Sequence, residues 1–403
     1  MARRICVVRQ NYFPEEAHVR KNVDALVDAG FQVDVICLRD AGEPARDDYR
    51  GGRVYRLPLR HKRGGRLRYL FEYAAFFLMA LGVLTALSLR RRYAVVEVYS
   101  IPDFLVFAAL PARLRRARVV LYLFEMMPEQ VRHEYGLAPS HPLYRLALWL
   151  ERRAVRFADR VITVSPHQRE VVRERSGPRT EPALVLNVPD EALFAPRPVA
   201  RGDAFRIMTH GSLLRRYGIQ TLIRAVPLLR DEIPNVEVWI VGDGEYREPL
   251  AALARELGVE ANVRFVGWVP IERVPGYIAQ ADVCLVPVSA PWLLPNKLFE
   301  YAAMGKPVVA SATPALQAVF DADAVAYFRA DDERDLAQHI LELYRDPARA
   351  ARMAAAARAV YQRSAWSAMK ADYVGVHQAL LTCPGGTPRR GENHAHRDDQ
   401  PAV

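Results

Sequence analysis

Residues 291–310 read P-W-L-L-P-N-K-L-F-E-Y-A-A-M-G-K-P-V-V-A, and how this stretch folds sets the architecture of the chain. Ahead of it, Val283 to Val288 is an apolar run between Asp282 and Ser289, long enough for a buried strand and too short for a helix. Behind it, Lys306 to Ala310 opens another strand. Between them, Asn296 to Met304 carries Leu298, Tyr301 and Ala302 on one face and meets a stop at Gly305, which predicts a helix. The free N–H groups of such a helix start, with the macrodipole's roughly half unit of positive charge, make a seat for phosphate. Lys297 adds a cation in the first turn. Glu300 stands one turn in, where a carboxylate accepts hydrogen bonds from ribose hydroxyls. Singly, Glu300 reads equally well as a capping acid and Lys297 as a solvated lysine; together they suit a nucleoside diphosphate.

A chain of 403 residues exceeds what one hydrophobic core serves, so two domains of about 150 to 200 residues are expected. With 51% hydrophobic and 25% charged residues, the composition is that of a soluble globular protein. Cysteines 6, 37, 284 and 383 are scattered without a C-x-x-C pair, which predicts packed thiols in a reducing compartment rather than a disulfide frame or zinc site. The N-terminal apolar run is too brief for a signal peptide and continues into folded pattern, so a cytoplasmic location is expected. The formal net charge of +10 is uneven. Residues 1–190 hold 32 Lys and Arg against 21 Asp and Glu, a net of +11, and the remainder holds 24 against 25. An acidic partner therefore meets the first half, with nucleic acid and an anionic membrane surface as the two classes.

In the first half, Arg4 to Arg9 reads as a strand, Ala17 to Ala29 as an amphipathic helix, and Phe31 to Leu38 as the next strand. This βαβ unit predicts a parallel sheet covered by helices, with ligands at the C-terminal strand ends. No G-x-G-x-x-G follows the first strand, which counts against a dinucleotide-binding dehydrogenase. Residues 53–68 contain seven Lys and Arg, Tyr69 to Leu89 is nearly all apolar, and Arg90-Arg91-Arg92 closes the run. Glu72 leaves only a marginal length for a membrane span, and a span would divide the sheet. Two readings remain: a helix packed on the sheet, and a helix whose aromatic side enters the membrane interface. Further on, Ala94 to Tyr99, Val119 to Phe124 and Val161 to Ser165 read as strands, and Pro102 to Leu114, Pro142 to Asp159 and Pro166 to Arg175 as helices. Glu125 and Glu129 follow a strand and offer a general base for an acceptor hydroxyl, or pair with arginines such as Arg132.

The stretch K-L-F-E-Y-A-A-M-G-K-P-V-V-A resembles the donor-site motif of glycosyltransferase family 4, whose members have the GT-B fold and retain anomeric configuration. The family usually places a second glutamate eight residues before Glu300, reaching the donor sugar; here Trp292 stands there. Around M-P-E at Met127-Pro128-Glu129 the chain resembles a subgroup that builds bacterial exopolysaccharides and other cell-surface polysaccharides. That subgroup carries a histidine and an aspartate where this chain has Phe124 and Glu125, and His133 nearby is no match. The loop from Gly211 to Gly218 resembles the family's first donor loop, whose diphosphate-clamping arginine and lysine fall on Ser212 and Tyr217; Arg215 and Arg216 are the adjacent cations, or two surface arginines.

The resemblance implies an α/β chain of two Rossmann-like, doubly wound domains facing a central cleft. Residues 1–195 would bind the acceptor, 203–360 the nucleotide-sugar donor, and 361–382 would form a helix returning to the first domain through Trp366, Tyr373 and Val376. A disordered tail at 383–403 is expected from its composition. The implied donor site is Gly211, Arg215, Arg216, Asn296, Lys297, Leu298 and Glu300, with Glu125 and Glu129 as catalytic carboxylates. No cofactor or metal is implied, although Asp321-Ala-Asp323 has the D-x-D pattern of another glycosyltransferase fold. The implied partners are a nucleotide sugar, a lipid-linked saccharide and an anionic inner membrane surface met by residues 53–92, not nucleic acid. Two rival readings are a sugar-nucleotide 2-epimerase of the same fold and a non-catalytic nucleotide-sugar binder.

Overall fold

The computed structural model describes residues 3–60, 66–199 and 202–382, the side chains of Arg66 and Leu67 excepted. Cys383, the 383–403 tail and residues 61–65 of the basic stretch lie outside the described residues. Two sheets form. The first contains β1 (Arg4–Tyr12), β2 (Gln32–Leu38), β3 (Arg46–Tyr49), β4 (Gly52–Leu57), β5 (Val95–Tyr99), β6 (Arg118–Leu123), β7 (Arg160–Thr163) and β8 (Ala183–Leu184), in the order β3-β4-β2-β1-β5-β6-β7-β8. The second contains β9 (Phe205–His210), β10 (Val236–Val241), β11 (Val263–Gly267), β12 (Val283–Val286), β13 (Val308–Ser311) and β14 (Ala326–Phe328), in the order β11-β10-β9-β12-β13-β14. Among the described residues, all pairings except β3–β4 and an isolated antiparallel bridge between Gly242 and Gly267 are parallel. Strands buried on both faces explain the unbroken apolar runs such as Ile5–Val8 and Val283–Val286. Each sheet reverses its winding beside its first strand, between β1 and β5 and between β9 and β12. Such switch points leave a crevice at the C-terminal strand ends.

The antiparallel β3–β4 hairpin was not anticipated from the sequence. Its turn is Arg50-Gly51, with φ of 46° and 83°, the left-handed pair that a two-residue hairpin requires. The expected helix from Pro102 to Leu114 is instead a 3-10 segment, Asp103–Ala109, followed by a short helix, Leu110–Leu114. Pro111 starts that second helix, where its missing N–H is tolerated.

The apolar stretch forms one long helix, Arg66–Arg90, lying along the first sheet, and β4 and β5 on either side of it belong to that same sheet. Phe76, Ala80, Leu84 and Leu87 pack inward, whereas Leu70, Phe71, Leu78 and Leu89 are more than 60% exposed. It is long and apolar enough to cross a membrane by length and composition, and only 28% of its most apolar window is buried.

Three helices, Glu333–Arg345, Pro347–Arg363 and Trp366–Thr382, end the described chain. The last returns to the first sheet. Its Tyr373 hydroxyl donates to both oxygens of Glu97 on β5, at 2.9 and 3.0 Å, and His377 pairs with the same carboxylate. All three side chains are sealed from solvent. Trp366 lies 4.5 Å beneath the Lys21 ammonium, and Val376 is partly buried against the first domain's core.

Candidate active site

The cleft lies between the two sets of C-terminal strand ends. β9 delivers His210 and then the loop Gly211–Gly218; β12 leads through residues 287–295 into the helix Asn296–Ala303. The two loops press together at Gly218, whose φ is +68° and where an added Cβ would stand 1.6 Å from the Pro287 carbonyl oxygen. Only glycine fits there, and it starts the helix Ile219–Arg230.

The helix Asn296–Ala303 begins after Pro295 with no side-chain cap, so its start is open to an anion. Lys297 is buried; its Nζ is 3.2 Å from the Thr209 hydroxyl and 5.3 Å from the Tyr217 ring centroid. Burial pulls the ammonium down to about 8, opposed by the nearby Glu300 charge. The ammonium therefore leans on a hydroxyl and a ring face rather than in an ion pair. Glu300 is buried too, its Oε2 2.6 Å from Nε2 of His210. The other ring nitrogen of His210 lies 2.9 Å from the Tyr301 hydroxyl, which also accepts the His210 backbone N–H at 3.1 Å. One arrangement satisfies all three contacts: Tyr301 donates to Nδ1, and Nε2–H donates to Glu300. The strand end thus fixes the carboxylate that the sequence assigns to ribose. Sequence reasoning passed over His210; the available signal was a polar residue closing an apolar strand at a switch point.

Asn296 reaches across the cleft, its Nδ2 2.7 Å from Nε2 of His18 on the first helix, Ala17–Asp28. Burial, with Lys21 and Arg9 adding to it, pushes His18 down to about 3, so the imidazole is neutral and accepts from the amide. Lys21 is also drawn down to about 8 by burial; its ammonium holds the Val188 carbonyl and lies 3.4 Å from the Asn187 side chain at the end of the first domain.

The remaining assigned residues separate. Gly211 lines the cleft, beside Ser212 and Tyr217. Leu298 is fully buried in the core, and its N–H already donates to the Pro295 carbonyl at 3.1 Å, so its side chain is not free to touch a ligand. Arg215 is exposed and is not among the residues lining the cleft. Arg216 is half-buried, 3.6 Å from Glu134 of the first domain and stacked on Tyr217. It is not among the residues lining the cleft, and its charge acts on Glu125. Glu125 lines the cleft; burial raises its carboxyl, against the pull of Arg216 and Arg9. Glu129 is turned away into a bidentate pair with Arg175, not the Arg132 that proximity in sequence offered. Arg175 also holds Glu151, and buried Asp103 beside them is pushed well up by burial. Asp321 accepts the Ala324 N–H at 3.0 Å as a turn cap, and Asp321 and Asp323 are both exposed. Among the described residues no three His, Cys, Asp or Glu side chains gather as a metal-ion site.

Lined by Phe124, Glu125, Met126, Ser165, Gln168, Asn187, His210, Trp292 and the start of the 296–303 helix, the cleft encloses about 310 Å³. Its two walls match different known families. Residues 16–188 match the family described as "Glycosyl transferase 4-like domain", and residues 204–346 that described as "Glycosyl transferases group 1". A GDP-mannose-dependent alpha-(1-6)-phosphatidylinositol monomannoside mannosyltransferase of Mycolicibacterium smegmatis is 33% identical over 56% of this chain and 62% of its own length. The lipopolysaccharide core biosynthesis glycosyltransferase LpsD of Rhizobium meliloti is 34% identical over 48% of this chain and 56% of its own. The match thus spans little more than half the length of these relatives. Among solved structures, Anabaena Alr3699/HepE in complex with UDP and glucose superposes with a TM-score of 0.71 at 18% identity, covering 94% of this chain and 99% of that one. At that identity the likeness carries the fold alone: two Rossmann-like domains in the GT-B arrangement.

Proposed function

We propose a reaction for a chain that belongs, through both of its domains, to the family 4 glycosyltransferases: a sugar passes from a nucleoside diphosphate to a saccharide acceptor, with retention at the anomeric carbon. The observation that carries this reading is the buried Lys297 ammonium at an uncapped helix start, held by the Thr209 hydroxyl and not by the negative charge of an ion pair. A diphosphate supplies that charge. Glu300, oriented by His210, takes the ribose, and Gly211, Ser212 and Tyr217 close over the phosphates. As the donor bond breaks, charge grows on the leaving diphosphate, and fixed groups aimed at it lower the barrier without reorganising. We assign that neutralisation to the protein's own groups, Lys297 and the helix N–H groups, with Arg216 contributing at longer range. Glu125 is the carboxylate facing the acceptor side and accepts the acceptor hydroxyl's proton; Glu129 is left to structure.

By name, one relative acts on phosphatidylinositol monomannoside and another serves lipopolysaccharide core biosynthesis. We extend the reading to a lipid-linked saccharide acceptor in bacterial surface-glycan synthesis, met at the inner face of the membrane by a protein resident in the cytoplasm. In its support, the exposed stripe Phe71, Leu78 and Leu89 is flanked by exposed Arg68, Arg90 and Arg92. Apolar side chains entering the interface between cations that meet anionic headgroups describe a peripheral attachment.

The test is titration with UDP and GDP, read by thermal shift and calorimetry, followed by NMR of the product's anomeric centre. Saturable binding that Lys297→Ala abolishes supports the seat. Full-strength binding by that variant refutes it, and an inverted product refutes retention. For the membrane, co-sedimentation with anionic vesicles is expected to be salt-sensitive and lost in a Phe71→Ser/Leu78→Ser double variant; unchanged pelleting removes that part.

A further inference from the structure

A second groove opens at the edge of the second domain's sheet and shares no lining residue with the cleft. It holds about 510 Å³, within the size range of small-molecule sites. Three arginines reach it from separate parts of the chain: Arg197 in the segment joining the domains, Arg264 on the edge strand β11, and Arg273 immediately before the helix Val274–Gln280. Against them the lining offers a single carboxylate, Glu272. Trp239 and Tyr277 supply aromatic surface, their rings edge-to-face at 6.0 Å. The floor is fixed and its charges are matched. Trp239 is 6% exposed; its Nε1–H donates to Glu237 at 3.1 Å, and the same oxygen accepts from Arg206 at 3.1 Å.

The lining guanidiniums are not matched. Among the described residues none of Arg197, Arg264 and Arg273 enters an ion pair: Arg197 donates to the Leu193 carbonyl, Arg264 lies over the Trp239 ring at 5.4 Å, and the Arg273 side chain has no partner. A guanidinium held over a ring still presents its N–H edge, so less freedom is lost when it grips an oxyanion. Three guanidiniums beside one carboxylate leave two positive charges uncompensated. A carboxylate ligand brings one negative charge, whereas a phosphate monoester brings about 1.5 to 2 near pH 7 and accepts forked hydrogen bonds from more than one arginine. The groove is also larger than inorganic phosphate fills, which leaves room for an organic part beside Tyr277. We propose that this groove binds a small phosphate monoester at a site separate from the diphosphate seat. By engaging Arg197 together with Arg264, the ester fastens the segment between the domains to the edge of the second sheet.

The inference does not depend on the transferase reading, and the experiment keeps the two apart. Calorimetry at fixed ionic strength compares inorganic phosphate, glucose 1-phosphate, UMP and, as a singly charged polyol, gluconate, on the wild type and on Lys297→Ala. At least one ester is expected to bind saturably to both proteins, about tenfold or more tightly than gluconate. Which ester binds more tightly identifies the organic part as sugar or nucleoside. Arg264→Ser/Arg273→Ser is expected to weaken that ester at least tenfold with the melting temperature unchanged; either single variant, with a smaller loss, serves if the double variant fails to fold. Ester binding that disappears in Lys297→Ala belongs to the cleft and overturns the inference. So does gluconate or inorganic phosphate binding as tightly as both esters, an affinity that survives removal of the arginines, or no saturable binding at all.

Discussion

Replacing Lys297 with methionine is expected to stabilise the ligand-free protein and abolish its function at once. The ammonium sits buried beside a hydroxyl, and its pKa falls from 10.5 to about 8. That gap corresponds to roughly 3 kcal/mol held against the folded state at neutral pH. Methionine fills nearly the same volume without the charge, so Lys297→Met should raise stability by up to that amount, or a few degrees in melting temperature. The sign over pH follows directly. Between about 8 and 10.5 the unfolded chain binds a proton at this position that the folded chain has released, so the wild type gains stability as pH rises through that window. Below pH 8 both states are protonated and the dependence vanishes. A diphosphate reverses the balance, since two negative groups beside the ammonium raise its pKa. Binding then takes up a proton above pH 8, and affinity should weaken about tenfold for each further pH unit. Lys21 is also drawn down to about 8, so the slope is attributed to Lys297 only where Lys297→Met removes it. Calorimetry of UDP and GDP from pH 6.5 to 9.5, with parallel melting curves, reads both effects. A variant less stable than wild type, or a pH slope that persists in it, refutes the reasoning.

Glu125→Gln should slow donor consumption by about 100-fold or more, as loss of a general base does, with folding stability nearly unchanged. Glu129→Gln should do the reverse, costing about 1–3 kcal/mol in urea unfolding by loosening the Arg175 pair while turnover persists. Gly218→Ala places a Cβ 1.6 Å from the Pro287 oxygen at a φ of +68°; its expected result is a drop of several degrees in melting temperature with loss of diphosphate binding. Tyr373→Phe strips a buried carboxylate of the hydroxyl donating to both its oxygens; unfolding free energy should fall by about 1–3 kcal/mol with diphosphate affinity intact, since Glu97 lies under the returning helix and not in the cleft.

The parts legible in the sequence were those written in local pattern. Apolar runs such as Val236–Val241 and Val283–Val286 could hardly be other than buried strands, and alternation with helices required parallel sheets. The open helix start at Asn296 with Lys297 and Glu300 was legible because helix start, cation and carboxylate lie within five residues. What escaped depends on contacts between distant segments. His210 meets Glu300 only when β9 and the 296–303 helix come together across 90 residues; the local signal, a polar residue closing an apolar strand, marks a strand end but not the glutamate it holds. Glu129 was misassigned for the same reason. A carboxylate after a strand looks catalytic until Arg175, 46 residues on, engages both its oxygens. Arg215 and Arg216 were chosen by charge, yet the 3-10 turn Arg215–Tyr217 directs Tyr217 into the cleft and leaves the guanidinium groups outside its lining.

Among the described residues, three side-chain contacts cross the cleft beside the start of the 296–303 helix. Asn296 meets His18, Trp292 meets His133, and Arg216 meets Glu134. None is strong alone: a neutral amide–imidazole bond, a ring contact and a half-exposed ion pair each contribute on the order of 1 kcal/mol. Their placement matters more than their strength. On the proposed function, a donor at the helix start would touch the same loops that carry the three contacts, so its occupancy and the approach of the first domain would bias one another reciprocally. The buried pair under the returning helix does not share this geometry. Glu97, Tyr373 and His377 tie the returning helix to the first sheet outside the cleft lining, so this link does not depend on the cleft contacts. A fixed anchor at one end and weak contacts at the mouth are what a two-domain cleft needs to admit a nucleotide sugar and then exclude water around it.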